Sequence, residues 1–215
     1  MNMKIATVAL VILVIGGAYV FTTGFTSRKP PTTPSSSSPV IADSDAPGYK
    51  TYTDQGGTFT FAFRSDFSVS TKAETGTAWT APASTAGIVL AKILVPASFE
   101  PGTNFGDATF TVGASTDPSA VATCLQSLAG GTGSAVLSIG GTQFTKLEFQ
   151  GAAAGNRYDT TSYRAVRNGQ CYAVEYTIHY SVFENYPKGA VKEFDEAKAT
   201  MALDEIAKSF QFLKP

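Results

Sequence analysis

The side chains best suited to chemistry lie on one predicted β-hairpin, from Tyr158 to Tyr180. Two alternating runs of β-branched and aromatic residues flank Asn168-Gly169. This dipeptide favours a two-residue type I′ turn, because both turn positions need a positive φ that Asn and Gly tolerate best. Counting outward from the turn pairs Val166 with Cys171 and fixes the register of the whole hairpin.

That register places four polar or aromatic side chains on one face of the hairpin. They are Tyr158 and Arg164 on the first strand, and Glu175 and His179 on the second. Arg164 lies diagonal to Glu175 and close enough to pair with it. The group is a candidate ligand-binding site. The same spacing also fits an ordinary cross-strand salt bridge on a half-open sheet face.

The sequence lacks the usual signatures of catalysis. His179 is the only histidine, and the register places Asp159 opposite Ile178, on the other face from His179, so a Ser-His-Asp arrangement is not formed there. One histidine and two cysteines on separate elements do not make a zinc site. No phosphate-binding, dinucleotide-binding or calcium-binding spacing occurs. We therefore predict a protein that is not an enzyme and holds no metal or cofactor.

The two cysteines are predicted to form a disulfide bond. Asp117-Pro118 starts a short helix, with Asp as N-cap and Pro in the first helical position, and the apolar stripe of this helix includes Cys124. If the helix covers the hairpin near its turn, Cys124 meets Cys171. The bond would close a loop of roughly 46 residues and add about 4 kcal/mol in the chain-entropy model. Two buried free thiols are the alternative.

Composition and charge exclude some partners. The formal net charge is −1, and the basic residues are scattered along the chain. Without a basic cluster, the sequence gives no indication of nucleic acid binding.

The N-terminus is predicted to be a membrane anchor. After a short stub, residues 1–4, the run from Ile5 to Phe25 has 21 residues and no charge. That length suffices for a helix to cross a hydrocarbon core of about 30 Å. A cleaved signal peptide is the alternative, but no small-x-small cleavage site follows the run.

Residues 26–48 are predicted to be a disordered linker, rich in Pro, Ser and Thr. The positive charges on the two sides of the anchor nearly balance, so charge alone does not orient it. The stalk-like linker and the cysteines favour a globular domain, residues 49–215, on the extracytoplasmic side of the cell membrane, held by a single pass.

The globular domain is predicted to be α+β. Alternating or continuous apolar runs predict about six to eight strands. Besides the hairpin, these runs are Tyr49–Thr53, Thr58–Phe63, Phe67–Thr71, Ile88–Val95, Ala108–Ala114, Ala135–Ile139 and Thr142–Gln150.

A C-terminal helix is predicted from about Val191 to Ser209, followed by a short strand or a docked segment at Phe210-Gln211-Phe212. The off-stripe position of Phe194 indicates that it packs elsewhere than the helix's main apolar face. With the short helix on the Cys171 face, the Tyr172 and Tyr176 face remains for this helix. The result is a mainly antiparallel sheet between two helical layers, an α/β/α sandwich.

The alternating aromatic start from Gly57 to Phe63, the long central hairpins and the ending from Ile206 to Phe212 resemble the PsbP-like family. That resemblance covers about Tyr49 to Pro215 and implies an extracytoplasmic α/β/α sandwich. The chain also resembles uncharacterised membrane-anchored bacterial proteins. Arg64-Ser65-Asp66-Phe67 departs from the Pro-aromatic pair frequent in the family, and no catalytic residue is carried over.

Two functions are compatible with these features. The first is a non-catalytic binding or assembly-support module of the cell envelope, with a protein partner there. The second is a small-ligand sensor or carrier that uses the Arg164 and Glu175 face. The two differ in whether that face forms a concave pocket.

Overall fold

A computed structural model describes residues 38–70, 87–126 and 131–213. The predicted anchor, residues 5–25, and most of the predicted linker lie outside these ranges. Within them, no helix is both long enough and apolar enough to cross a membrane.

The largest element is a fully antiparallel sheet of seven strands, arranged in the order β4-β5-β6-β10-β9-β8-β7. The strands are β4 (Ser68–Val69), β5 (Ile88–Val95), β6 (Phe105–Ser115), β7 (Gly131–Ile139), β8 (Thr142–Ala153), β9 (Asn156–Arg167) and β10 (Gln170–Ser181). The hairpin of β9 and β10 lies at its centre.

The hairpin has the register that the sequence predicts. Val166 pairs with Cys171, and Tyr158 pairs with His179. The turn residues Asn168 and Gly169 have φ values of 50° and 73°. Both are positive, as a type I′ turn requires. This turn type is favoured in two-residue hairpins because its backbone twist matches that of the flanking strands.

A second sheet of four strands was not predicted from the sequence. Its order is β1-β2-β3-β11, and its strands are β1 (Val40–Asp43), β2 (Tyr49–Thr53), β3 (Phe59–Arg64) and β11 (Gln211–Phe212). The assignment of residues 40–43 to a disordered linker was wrong, because they pair with β2. The possible C-terminal strand is confirmed, since Gln211 pairs with Thr60.

The two sheets pack face to face through aromatic side chains. The rings of Phe61 on β3 and Phe110 on β6 lie 5.1 Å apart, and both side chains are buried. The Tyr52 hydroxyl donates to the Leu90 carbonyl at 3.1 Å. The alternating phenylalanines of β3 therefore face the main sheet and build the core.

One helix lies on each face of the main sheet, as predicted. α1 (Pro118–Thr123) begins at Asp117, whose carboxylate accepts from the backbone N–H groups of Ser119 and Ala120. Directly after α1, Cys124 is bonded to Cys171, with an S–S distance of 2.01 Å and a Cα–Cα distance of 5.6 Å. The predicted disulfide is thus present in the structure.

α2 (Glu196–Ser209) covers the opposite face and starts five residues later than predicted. The reason is Phe194, whose ring packs 4.8 Å from that of Tyr180 and whose N–H donates to the Asn104 side chain at 2.9 Å. These contacts hold the preceding segment extended, and Asp195 then caps the helix. The domain is α+β and mainly antiparallel.

Candidate functional site

The predicted Arg164 and Glu175 pair lies inside the protein. Arg164 is 1% exposed and Glu175 is 3% exposed. The Arg164 Nε donates to the Ser162 hydroxyl at 3.1 Å, and its guanidinium lies 5.7 Å from the centre of the Phe149 ring. Burial lowers the pKa of Arg164, and the nearby Glu175 carboxylate opposes that shift. Because both side chains are buried, neither charged group is accessible to a ligand.

Tyr158 and His179 form a separate cluster towards the other end of the same face. Their rings stack 4.8 Å apart and nearly parallel. His179 Nδ1 lies 3.1 Å from an Asp107 carboxylate oxygen, and Nε2 lies 3.1 Å from the Asn156 side-chain oxygen. Gly106 makes room for this ring, because a Cβ there would lie 2.8 Å from Nδ1.

The four predicted residues therefore share one face without forming one pocket. Between the two clusters, the hydroxyls of Thr160 and Thr177 bond each other at 2.9 Å, and Ser162 is fully buried. Sequence reasoning missed Asp107, which reaches His179 through the pairing of β6 with β10. No local pattern reports that pairing, since 72 residues separate the two.

The expected separation of Asp159 from His179 is confirmed. Asp159 accepts instead from the Tyr180 hydroxyl at 2.9 Å, on the opposite face. Burial, together with this bond, raises the pKa of Tyr180 to about 12. Ser181 donates to Asn156 rather than to the imidazole. In the described part of the chain, no group of three or more His, Cys, Asp or Glu is placed to hold a metal ion.

The α2 face of the main sheet carries a groove that sequence analysis did not find. Its floor is the exposed end of β9 and β10, and its walls are β8 and the first half of α2. One part has a volume of about 290 Å³ and is lined by Lys146, Glu148, Gln150, Asp159, Thr161, Tyr176, Ile178, Glu196 and Thr200, among others. We call this feature, with the extension described next, the α2 groove.

The extension reaches the loop before α2 and has a volume of about 220 Å³. Glu196 lines both parts. The lining of the extension includes Asn104, Arg157, Tyr180, Phe183, Glu184, Glu193 and Phe194. Together, the two parts present five carboxylates and two basic side chains. The α2 groove is therefore net acidic, and Lys146 is already paired with Glu148 at 2.6 Å.

The wall formed by α2 is fastened to the groove floor through Asp204. This carboxylate accepts from the hydroxyl of Tyr163 at 2.8 Å and from that of Tyr176 at 2.9 Å, and Lys208 pairs with it at 3.0 Å. Burial raises the pKa of Asp204, but these three bonds together outweigh that effect, so the pKa lies below its ordinary value. These bonds attach α2 to the hairpin that forms the groove floor.

The side chains that line the larger part of the α2 groove come from three consecutive strands and from α2. Lys146 and Glu148 lie on β8, Asp159 on β9, Tyr176 on β10 and Glu196 on α2. None of them belongs to a short motif. The only sequence signal was alternation, which assigned Tyr176 to the face that the helix covers.

Comparison with protein-family models and with curated proteins found no match. Among solved structures, the chain is similar to a crystal structure of a protein from Bacteroides thetaiotaomicron VPI-5482, with 13% identity and a TM-score of 0.41. The match covers 76% of this chain and 48% of that one, so the chain spans about half the length of this neighbour. A likeness at this level carries no argument about function. The resemblance to the PsbP-like family stays an expectation.

Proposed function

We propose that this protein is a membrane-anchored, extracytoplasmic binding module whose folded domain holds a protein partner in the α2 groove. The observation that carries this proposal is the groove itself, which is concave, polar and formed by three neighbouring strands and α2. The anchor and the outward orientation rest on the sequence, with support from the disulfide, since such bonds persist mainly in oxidising compartments.

A binding role is favoured over catalysis because the polar groups with reactive potential are engaged with each other. Both ring nitrogens of His179 face oxygen atoms of neighbouring side chains. Asp159 and Asp204 accept from tyrosine hydroxyls. A general base or nucleophile needs a free approach to its substrate, and these groups are arranged to stabilise the domain instead.

The charge of the α2 groove indicates the kind of partner surface it would accept. Its excess of carboxylates favours a segment with basic or hydroxyl-bearing side chains. Part of the acidic lining is strongly exposed, including Glu184, Glu193 and Glu196. The electrostatic part of the binding would be screened by salt, with a Debye length of about 8 Å at physiological ionic strength. We therefore expect the association to weaken as salt rises.

Site-specific photocrosslinking with the full chain, in the cells that produce it, tests this proposal. A photoreactive phenylalanine analogue is placed at Gln150 or Thr200, which line the groove. The matched control position is Val136, which is 70% exposed and lies on the other face of the main sheet. We expect one discrete adduct from the groove positions and none from Val136.

An adduct that also forms at Val136, or the absence of any adduct at both groove positions, would contradict the proposed site. The adduct band should weaken when Glu193 and Glu196 are changed together to Gln, because the groove then loses two negative charges. A charge-conserving control pair, Glu193→Asp with Glu196→Asp, changes the same two positions but keeps both negative charges and should keep the adduct.

The proposed location has a test of its own. The test uses cells whose wall and any outer membrane have been removed while the cell membrane stays intact. A membrane-impermeant protease added to these cells should degrade the folded domain if that domain is extracytoplasmic. Survival of the domain until the membrane is broken would place it on the other side. That outcome would leave the groove as a binding site but would overturn the envelope assignment.

A further inference from the structure

A larger cavity lies away from the α2 groove, between β1 and β2 of the small sheet and β4 and β5 of the main sheet. Its volume is about 550 Å³. The small sheet contributes Ile41 and Tyr52, and the main sheet contributes Val69, Val89, Leu90 and Ala91. We call it the sheet-edge cleft. The rest of the lining is Pro39 and five polar residues, Ser38, Asp54, Gln55, Ser70 and Lys92. The cleft is therefore mixed, with more apolar than polar side chains, in contrast to the polar lining of the α2 groove.

The cleft lies beside a contact between the two sheets. Tyr52 is buried and its ring lies 4.9 Å from that of Phe61, where the sheets are in contact. Ile41 is paired with Tyr52 and so faces the same way, yet it is 47% exposed. The main sheet has a register shift between Val89 and Ala91. A bulge of this kind bends the strand locally.

We propose that the sheet-edge cleft binds a neutral, apolar small molecule such as a hydrocarbon chain. The volume falls in the range of about 300 to 1,000 Å³ that is usual for small-molecule sites. Covering the apolar walls releases water from them, which favours binding in proportion to the apolar area removed from solvent. The walls are strands of two sheets, so the site is preformed.

An added strand from a partner fits this edge less well than a small molecule. Strand addition depends on outward backbone groups of β5 that can pair with a new neighbour. The Leu90 carbonyl already accepts from the Tyr52 hydroxyl at 3.1 Å, and the Lys92 carbonyl accepts from the Ser70 N–H at 2.9 Å. Two outward carbonyls of the edge are therefore engaged.

The polar rim also favours a neutral ligand. Asp54 lines the cleft, but its carboxylate accepts from the N–H groups of Gly56 and Phe59 at 3.0 and 2.9 Å. It also accepts from the Thr58 side chain at 3.1 Å. These bonds close the turn between β2 and β3. The carboxylate is thus satisfied within the protein and is poorly placed to select a cation. Lys92 is the other charged side chain in the lining, and it too is engaged by another group.

Photoaffinity labelling of the full chain in cell membranes tests this inference. The probe is an uncharged long-chain hydrocarbon that carries a diazirine and an alkyne, and labelled peptides are identified by mass spectrometry. We expect the strongest labelling within the folded domain on the peptides that carry Tyr52 and Leu90. An excess of the same hydrocarbon without the diazirine should compete with the probe and abolish this labelling.

Two variants fill the cleft from opposite walls, Leu90→Trp and Ile41→Trp. Each should lower labelling of these peptides by about tenfold, which corresponds to about 1.4 kcal/mol of binding free energy. Val136→Trp adds the same side chain at a site that is 70% exposed elsewhere and should leave labelling unchanged. Ile41 lies on an exposed strand, so its variant keeps the test usable if Leu90→Trp fails to fold.

Equal labelling in the wild type and in both filled variants would overturn the proposal, as would labelling that is no stronger at the cleft than at Val136. Absence of labelling in the wild type would mean that the cleft does not bind the hydrocarbon, and would overturn the proposal too. None of these results bears on crosslinking at the α2 groove, so the two proposals fail independently.

Discussion

Asp204 is the residue that joins α2 most directly to the central hairpin. Its side chain is 22% exposed and carries three bonds, to Tyr163, Tyr176 and Lys208. A carboxylate that accepts several hydrogen bonds is favoured in its charged form. Loss of the charge would leave two buried tyrosine hydroxyls with a weaker acceptor.

Asp204→Asn is expected to lower the free energy of unfolding at pH 7 by about 1 to 3 kcal/mol, the usual effect of weakening buried hydrogen bonds to a charged group. Because the pKa of Asp204 is lowered in the folded protein, its contribution is complete above the unfolded-state pKa of about 3.9. It is lost as pH falls through the lower folded-state value. The loss of stability on acidification below about pH 4 should therefore be smaller in the variant.

Urea unfolding at pH 7 and at several acidic pH values checks this prediction. Lys208→Gln is the matched control. Lys208 is 63% exposed and lies one helical turn from Asp204, and exposed ion pairs contribute little. If the aspartate and lysine variants lose equal stability, the tyrosine bonds are not what fastens α2.

At the scale of elements, local sequence signals predicted the strands and turns near them well, whereas pairings between residues distant in sequence could not be predicted. The register of β9 and β10 follows from Asn168-Gly169 alone, because a two-residue turn fixes every pair outward from it. The start of α2 was wrong because contacts of Phe194 with Tyr180 and Asn104 decide where the helix begins. Helical periodicity cannot report such contacts.

The small sheet was missed for the same reason. Its order brings β11, at the end of the chain, next to β3 near the start. β1 has only exposed residues, so it lacks the alternation that marks a strand with one buried face. From its sequence, β1 was assigned to the polar linker that precedes it, although it pairs with β2 along its whole length.

Removal of β1 is expected to change solubility more than stability. A chain that begins at Gly48 loses β1, whose four residues are all exposed, and leaves the edge of β2 without that partner, and free edges promote association. Compared with a chain that begins at Ser38, it should have a similar unfolding midpoint and a greater tendency to self-associate. Light scattering against concentration measures the second effect. Equal scattering, or a large fall in the midpoint, would contradict this expectation.

At the scale of the whole molecule, the fold class was predictable but the candidate site was not. The α+β class follows from counting strands and assigning one helix to each face of the hairpin. The α2 groove depends on how α2 packs beside β8, β9 and β10 and on which carboxylates meet there. Glu148 and Glu196, for example, lie on elements far apart in sequence, and their approach is a result of tertiary packing.

The disulfide is expected to contribute strongly to the stability of the domain. Cys124 and Cys171 are 47 residues apart, and closing a loop of that length stabilises by about 4 kcal/mol in the chain-entropy model. A double variant, with both cysteines changed to Ala, should unfold at lower urea concentration by a corresponding amount. Reduction of the wild-type protein should reproduce that shift and should leave the double variant unchanged. A shift that reduction produces in both proteins would point to another cause.

The same bond changes how the domain would respond to a pulling force. If the chain is pulled from its two ends, tension passes from Cys124 to Cys171 through the sulfur atoms and bypasses β7, β8 and β9. The segment between the cysteines, which are 47 positions apart, would otherwise extend by up to about 160 Å. These three strands, which include one wall of the α2 groove, are therefore shielded from mechanical load.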